Sequence, residues 1–236
     1  MRRARHQATA AALIAGVLLG AACTIVYDDE KKKGASSAAS GTDSSESGTG
    51  AADPHAQGFD AAAWVESVWT AKVVPHFARE SVELGPVLAA LAGDADAAGA
   101  KFGRRADAEG SPWSFAVKGV GAVVSVDKES RAGSMVVSVD APSGAREVTL
   151  QIGPVVRGTA IRDNLPFVSF GDVTNQIQFA QVSRAINDRA VAGIRPGLEA
   201  LEAPGTKVEF SGAMNVSAAD DTVLITPVTL KRAGGE

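Results

Sequence analysis

The stretch WSFAVKGVGAVVSVD, residues 113–127, decides how this chain folds. Val120, Ala122, Val124 and Val126 recur at every second place, the period of an extended strand with one buried face and not that of a helix. The same alternation returns in SMVVSVD, through Met135, Val137 and Val139, and then in REVTLQIG, TKVEFSG and TVLITPVTL. Gly119, Gly133, Ser143-Gly144 and Gly205 punctuate these runs. Pro227 has no N–H to give to a ladder, so it belongs at an edge or a bulge.

Working outward, one helical candidate lies among the strands, Ala180 to Val191, with Val182, Ile186 and Ala190 on one face and Gly193 as its stop. One long strand region, two more strands, a helix-bearing connection and two final strands is the order of an OB-type barrel. A meander sandwich packed by helices is the alternative. Upstream, Asp60 is placed to cap a helix from Ala61 to Phe77, with Phe59 and Trp64 as a hydrophobic staple. Val65, Trp69 and Val73, with Val68 beside them, make its apolar stripe, and Pro75 is expected to kink or end it near Val74. Two short helices follow, one through PVLAALA with Pro86 in its first turn and Gly93 as its stop, the other from an Asp94 cap to Phe102. The expected fold is α+β: a small N-terminal helical subdomain, residues 59–105, packed on an OB-like β-barrel, residues 106–236.

The first 58 residues have a different composition. Arg2, Arg3 and Arg5 precede an uncharged run from Ala8 to Ala22, which reads as a signal peptide over 1–22 and is too short to span a bilayer as a permanent helix. The run ends in Leu-Gly-Ala-Ala-Cys, and Cys23 is the one cysteine of the protein. This resembles the lipobox of bacterial lipoproteins, which implies cleavage before Cys23 and its acylation, although Leu19 stands one place further from the cysteine than the usual pattern. An ordinary signal peptide that leaves a free thiol is the alternative. Residues 23–58, rich in Gly, Ser, Ala and Thr, form a flexible tether. Its reach is on the order of 30 Å by random-coil scaling. Without the signal the 23 basic residues fall to 20 against 27 acidic ones, a net charge near −7 that suits neither nucleic acid nor an anionic membrane face.

FDAAAWVESVWTAKVVP, FGRRADAEGSPWSFAVKGVGAVVSVDKESRAG and LQIGPVVRGTAIRDNLPFVSFGDVTNQIQFAQVSRAIND together resemble the predicted periplasmic lipoproteins grouped as domain of unknown function 2291, over nearly all of Phe59 to Leu230. The resemblance implies a helical part packed on an OB-like barrel, and it implies no assigned activity. Members tend to be encoded beside ABC-type sugar importers, which implies an envelope role linked to solute uptake.

The connection GPVVRGTAIRDNLPFVSFGDVTNQIQF, residues 153–179, carries the candidate site. Arg157, Thr159, Arg162, Asp163, Asn164, Asn175 and Gln176 supply guanidinium, hydroxyl, carboxylate and amide groups of the kind that hold sugar hydroxyls or carboxylates. Arg104 and Arg105, with Asp107 and Glu109, are placed to face the same cleft. The plainer account is that a long irregular connection satisfies its own backbone, with Asp163 pairing to Arg157 or Arg162 and with Leu165, Phe167, Val168 and Phe170 docking it. His55 falls in the tether and His76 reads as a surface residue, so no metal site and no cofactor are expected. No nucleophile elbow, HExxH or phosphate loop occurs, so an enzyme is not expected. The carboxylate pair Asp220-Asp221 falls in a turn of the last hairpin. Two readings lead: a lipid-anchored accessory or interaction module with an envelope or sugar-importer partner, marked by an exposed apolar patch, and a tethered binding protein for a small polar solute such as a sugar or polyol. The second would be marked by a pocket walled by Arg157, Arg162, Asp163 and an aromatic ring.

Overall fold

Asp60 opens the first helix: its carboxylate accepts the Ala63 N–H at 3.0 Å. A computed structural model describes residues 59–105, 111–173, 175–216 and 223–234. The signal segment, Cys23, the tether, Asp107, Glu109 and the Asp220-Asp221 pair lie outside the described residues. Helix α1 (Ala61–Val68) runs through a π-helical turn, Trp69–Val73, directly into α2 (Val74–Glu80). Pro75 therefore neither ends nor halts the helical run. In the wider turn just before it Val74 N–H reaches back to the Trp69 carbonyl, and this turn takes up the proline ring and the N–H that proline lacks. Then follow β1 (Val82–Glu83), α3 (Leu84–Leu91), α4 (Ala95–Phe102) and β2 (Arg104–Arg105). Gly93 N–H closes α3 on the Ala90 carbonyl, and Asp94 caps α4 by accepting from Ala97 N–H at 2.9 Å, as the sequence places both.

The barrel strands are β3 (Trp113–Asp127), β4 (Ser134–Ala141), β5 (Gly144–Gln151), β6 (Lys207–Val216) and β7 (Leu224–Arg232). They pair in the ring β3-β4-β5-β7-β6 and back to β3, which is the strand order of an OB fold. Closure is tight along β3–β6 and thin at the parallel β5–β7 seam, where only Thr149 opposite Leu224 and Leu150 opposite Ile225 pair, so the barrel is OB-like and partly open. Strand β3 is long enough to serve three neighbours on one edge. Its second half pairs with β4, while its first half is taken by β2 at Ser114 and Trp113 and by β1 at Val117 and Lys118. Pro227 sits opposite Gly212, where the β6–β7 register shifts at a bulge.

The period expected for β3 is correct and its phase is not. Val120 and Val124 are 52% and 40% exposed, whereas Phe115, Val117 and Val123 face the interior. The reason is volume: a Cβ on Gly119 would stand 3.0 Å from Phe210 Cζ, and one on Gly121 would stand 2.6 Å from Val137. Glycine holds the inner face there because side chains of the neighbouring strands fill the space, and Gly119 interrupts nothing. A bulge between Val123 and Ser125 then turns Val126 back toward the core. Met135, Val137 and Val139 of β4 are fully interior, as expected.

After β5 the chain forms α5 (Ala160–Asn164), a 3₁₀ turn (Phe170–Asp172) and α6 (Gln176–Leu198), followed by a 3₁₀ turn (Glu199–Leu201). Helix α6 starts four residues before the expected Ala180, because Asn175 caps it by accepting from Gln178 N–H at 2.9 Å. It passes Gly193 because Ile194 continues the buried stripe of Val182, Ile186 and Ala190. Two apolar layers result. The interior layer joins Phe115, Leu150, Phe210 and Met214 to Leu84 and Val87 of α3 and to Ile194. The outer layer packs Val65, Trp69, Val73 and Phe77 with Ile161, Leu165 and Ile186 on Ala116, Ala213 and Val228 of the barrel wall. Ser114, Phe115, Ala116 and Val117 are consecutively buried because this wall is covered on both faces.

Candidate functional site

The connection between β5 and α6 is fastened by three side-chain networks. The first is Gln151, buried at the end of β5. Its Oε1 accepts Arg157 N–H at 2.7 Å, and its Nε2 donates to the Arg157 carbonyl at 3.0 Å and to Thr226 Oγ1 at 2.8 Å. One amide thus holds both backbone groups of Arg157. The second is Asp163, which accepts from Arg162 Nε at 2.9 Å and Nη2 at 2.5 Å, from Thr159 Oγ1 at 2.6 Å and from Asn215 Nδ2 at 2.9 Å. Arg162 also donates to Ser183 Oγ at 2.7 Å, and its guanidinium lies 4.0 Å from the centroid of the Phe179 ring. The third is Asn164, whose Oδ1 meets His76 Nε2 at 2.9 Å while the Ser114 hydroxyl donates to the Ala160 carbonyl. His76 is therefore a half-buried tie between α2 and the connection and not a free surface residue.

Between the first two networks opens a cleft of about 580 Å³. Its floor is the β5–β7 seam, with Thr149, Gln151, Leu224 and Thr226; one wall is the β3–β4 turn from Asp127 to Ser134, and the other is Arg157 to Ala160 with Asn215 behind. The turn is anchored to the connection: Ile152 N–H bonds to the Gly133 carbonyl and Val155 N–H to the Arg131 carbonyl, each at 3.1 Å. Gly133 has φ +45°, and a Cβ there would lie 2.6 Å from Gly153 Cα, so this wall depends on two glycines in contact. At the turn's base Lys128 Nζ donates to Glu202 at 2.6 Å, and that carboxylate raises the Lys128 pKa. Asp127 Oδ1 accepts the N–H groups of Glu129 and Ser130, which shapes the turn.

The sequence candidates divide among several places. Arg157 and Thr159 line the cleft. The backbone of Arg157 is clamped, yet its exposed guanidinium makes no hydrogen bond or ion pair to any described residue. Arg162 and Asp163 do not line it; they form the wall behind, with their charged groups committed to each other. Asn164 and Arg104 border a separate hollow of about 150 Å³ with His76 and Glu80. Arg105 is bound elsewhere, donating to the Ser111 carbonyl at 2.7 Å and stacking 5.1 Å from Trp113. Asn175 is the α6 cap, and Gln176 is the exposed first residue of that helix. Sequence reasoning missed Gln151, Thr149, Ser134, Asn215 and Thr226. The one available signal was Gln151, an amide closing a strand that otherwise alternates Val148 and Leu150 inward. Asn215 Oδ1 is buried without a partner among the described residues. Among the described residues no aromatic ring lines the cleft, no group of His, Cys, Asp and Glu is placed to hold a metal ion, and no helix is long and apolar enough to cross a membrane.

The fold and the seam cleft define an OB-like domain. A solved OB-fold protein from Thermotoga maritima superposes with a TM-score of 0.63 at 15% sequence identity, covering 75% of this chain and 99% of that one. No curated protein matches the chain significantly in sequence. The family model described as predicted periplasmic lipoprotein, domain of unknown function 2291, matches residues 13–231, and the chain belongs to that family. It is accordingly an extracytoplasmic, membrane-anchored lipoprotein.

Proposed function

We propose that the protein is a tethered solute-binding module, acylated at Cys23, whose OB-like domain takes a small polar solute in the cleft over the β5–β7 seam. One observation carries this: Gln151 holds Arg157 N–H and C=O from both sides, yet the guanidinium has no partner among the described residues. An arginine kept for structure spends its side chain, as Arg162 does on Asp163 and Ser183. Here the backbone is positioned and the donors are left open, which is the arrangement of a preorganised binding group. The volume lies within the range of small-molecule sites, roughly 300–1,000 Å³. The cleft also adjoins the loop between the first two barrel strands, a place where OB barrels commonly take their ligands.

An accessory role beside a solute importer fits the same arrangement. Ile177 and Phe170, 72% and 50% exposed near the start of α6, supply the apolar surface that such a role needs. A thermal-shift screen against polar solutes tests the binding reading. A ligand at a hundred times its dissociation constant stabilises by about 2.7 kcal/mol, several degrees for a domain of this size. The hit should vanish in Thr149→Trp, which fills the cleft floor; a flat screen across sugars, polyols and organic acids refutes the reading.

A further inference from the structure

We infer that the cleft's ligand is a small hydroxylated carboxylate, held by its charge on Arg157 and by its hydroxyls on the strand floor; this rests on the solute-binding reading above. Neutral sugars are commonly gripped between planar rings and dense amide contacts. No ring among the described residues lines this cleft, and the Gln151 amide is already spent on Arg157 and Thr226. What the cleft offers unspent is of another kind.

Arg157 presents a guanidinium that is unpaired among the described residues and whose planar fork matches a carboxylate in a bidentate contact. Its charge is not cancelled by Asp163, which is bound to Arg162 behind the wall. Asp127 stands on the opposite wall, with Oδ1 accepting two backbone N–H groups. Its other oxygen is an acceptor for a ligand hydroxyl. Ser134 and Thr149 line the cleft with hydroxyls that bond to no described residue. Thr226 Oγ1 accepts from Gln151, which leaves its own proton to donate. Asn215 Oδ1, buried on the same wall, is an acceptor that has no donor among the described residues, and it adds to the acceptor character of that wall. One cationic fork facing several single hydroxyl and acceptor groups fits a compact molecule with one anionic end and a hydroxylated body.

The test uses matched pairs on the full-length lipoprotein in detergent micelles, followed by isothermal titration calorimetry and by tryptophan fluorescence during heating: gluconate against sorbitol, galacturonate against galactose, and glucose 6-phosphate against glucose. At least one carboxylate should bind about tenfold or more tightly than its neutral partner, weaken as salt rises, and lose at least about tenfold in affinity in Arg157→Gln. The melting temperature of free Arg157→Gln should match the parent, because that side chain makes no hydrogen bond or ion pair to a described residue. Neutral members binding as tightly as the acids, or acid affinity unchanged in Arg157→Gln, overturns the carboxylate assignment and leaves the cleft a solute site. Tighter binding of the phosphate ester than of every carboxylate also overturns it, in favour of a phosphorylated ligand. If no member of any pair binds, the solute-binding reading falls with it.

Discussion

Asp163→Ala removes the centre of the polar network that joins Arg162, Thr159 and Asn215. Its carboxylate accepts four hydrogen bonds, two from the Arg162 guanidinium, one from Thr159 and one from Asn215. The two charge-assisted bonds would be worth about 1.5–3 kcal/mol each if independent, but they share one ion pair. Breaking a fully buried pair costs about 3–5 kcal/mol, because the remaining charge is stranded. Here the side chains keep 16% and 18% of their surface exposed, and Arg162 retains Ser183 and the Phe179 ring, so the lower end applies: about 3 kcal/mol. At about 2–4 °C per kcal/mol this lowers the melting temperature by roughly 6–12 °C. The assay is thermal and urea unfolding of the parent, Asp163→Ala, Arg162→Ala and the double variant. Removing both partners leaves no stranded charge, so the double variant should cost less than the sum of the singles by about 2 kcal/mol. A drop under about 2 °C for Asp163→Ala, or strictly additive singles, would refute the account of this network as the fastening of the connection.

Other substitutions probe the helical layer. A Cβ on Gly99 would stand 2.2 Å from the Trp113 ring, so Gly99→Ala should displace the indole, break its 2.8 Å bond to Asp96, cost about 1–3 kcal/mol and red-shift the tryptophan emission. Trp69→Ala should cost about 3–5 kcal/mol in denaturant unfolding, since the ring is buried in the outer layer and carries the Arg189 guanidinium 5.1 Å from its centroid. His76→Ala leaves buried Asn164 without its strongest partner and should cost about 1–2 kcal/mol in the same measurement, with His76→Gln recovering part of the loss.

Much of the fold was legible because its determinants are local. Asp60 and Asp94 cap the helices they precede, and the stripes of Val65, Trp69 and Val73 and of Val182, Ile186 and Ala190 face inward as their spacing requires. Strand order followed from counting alternating runs. The phase of β3 was not legible, because two glycines take the inner positions and valines the outer ones; what decides the matter is Phe210 and Val137 on the two strands paired with β3, outside its own sequence. Helix ends failed for the same reason. Gly193 is a local stop signal overridden by burial of Ile194, while Pro75 stands at the start of α2, just after the π-helical turn, and does not end the helical run. At the site, the sequence offered a polar connection but could not say which arginine was free. That depends on Asn215 and Ser183, which engage Asp163 and Arg162, and on Gln151, whose amide holds Arg157 by its backbone and not by its side chain.

The two short strands β1 and β2 have a consequence for how an exported chain reaches this state. Strand β3 needs β6 along one edge, and its partner arrives some ninety residues later, Phe210 opposite Gly119. Its other edge is served from nearby, by β1 and β2 just before it and by β4 just after. A chain emerging from its N-terminus can thus sheathe one flank of β3 at once, while the second flank stays open until β6 has been delivered. Until β6 arrives, the open flank of β3 is a site for proteases and for pairing with other chains, and the small strands shorten the exposed length on its other flank by pairing with Trp113, Ser114, Val117 and Lys118.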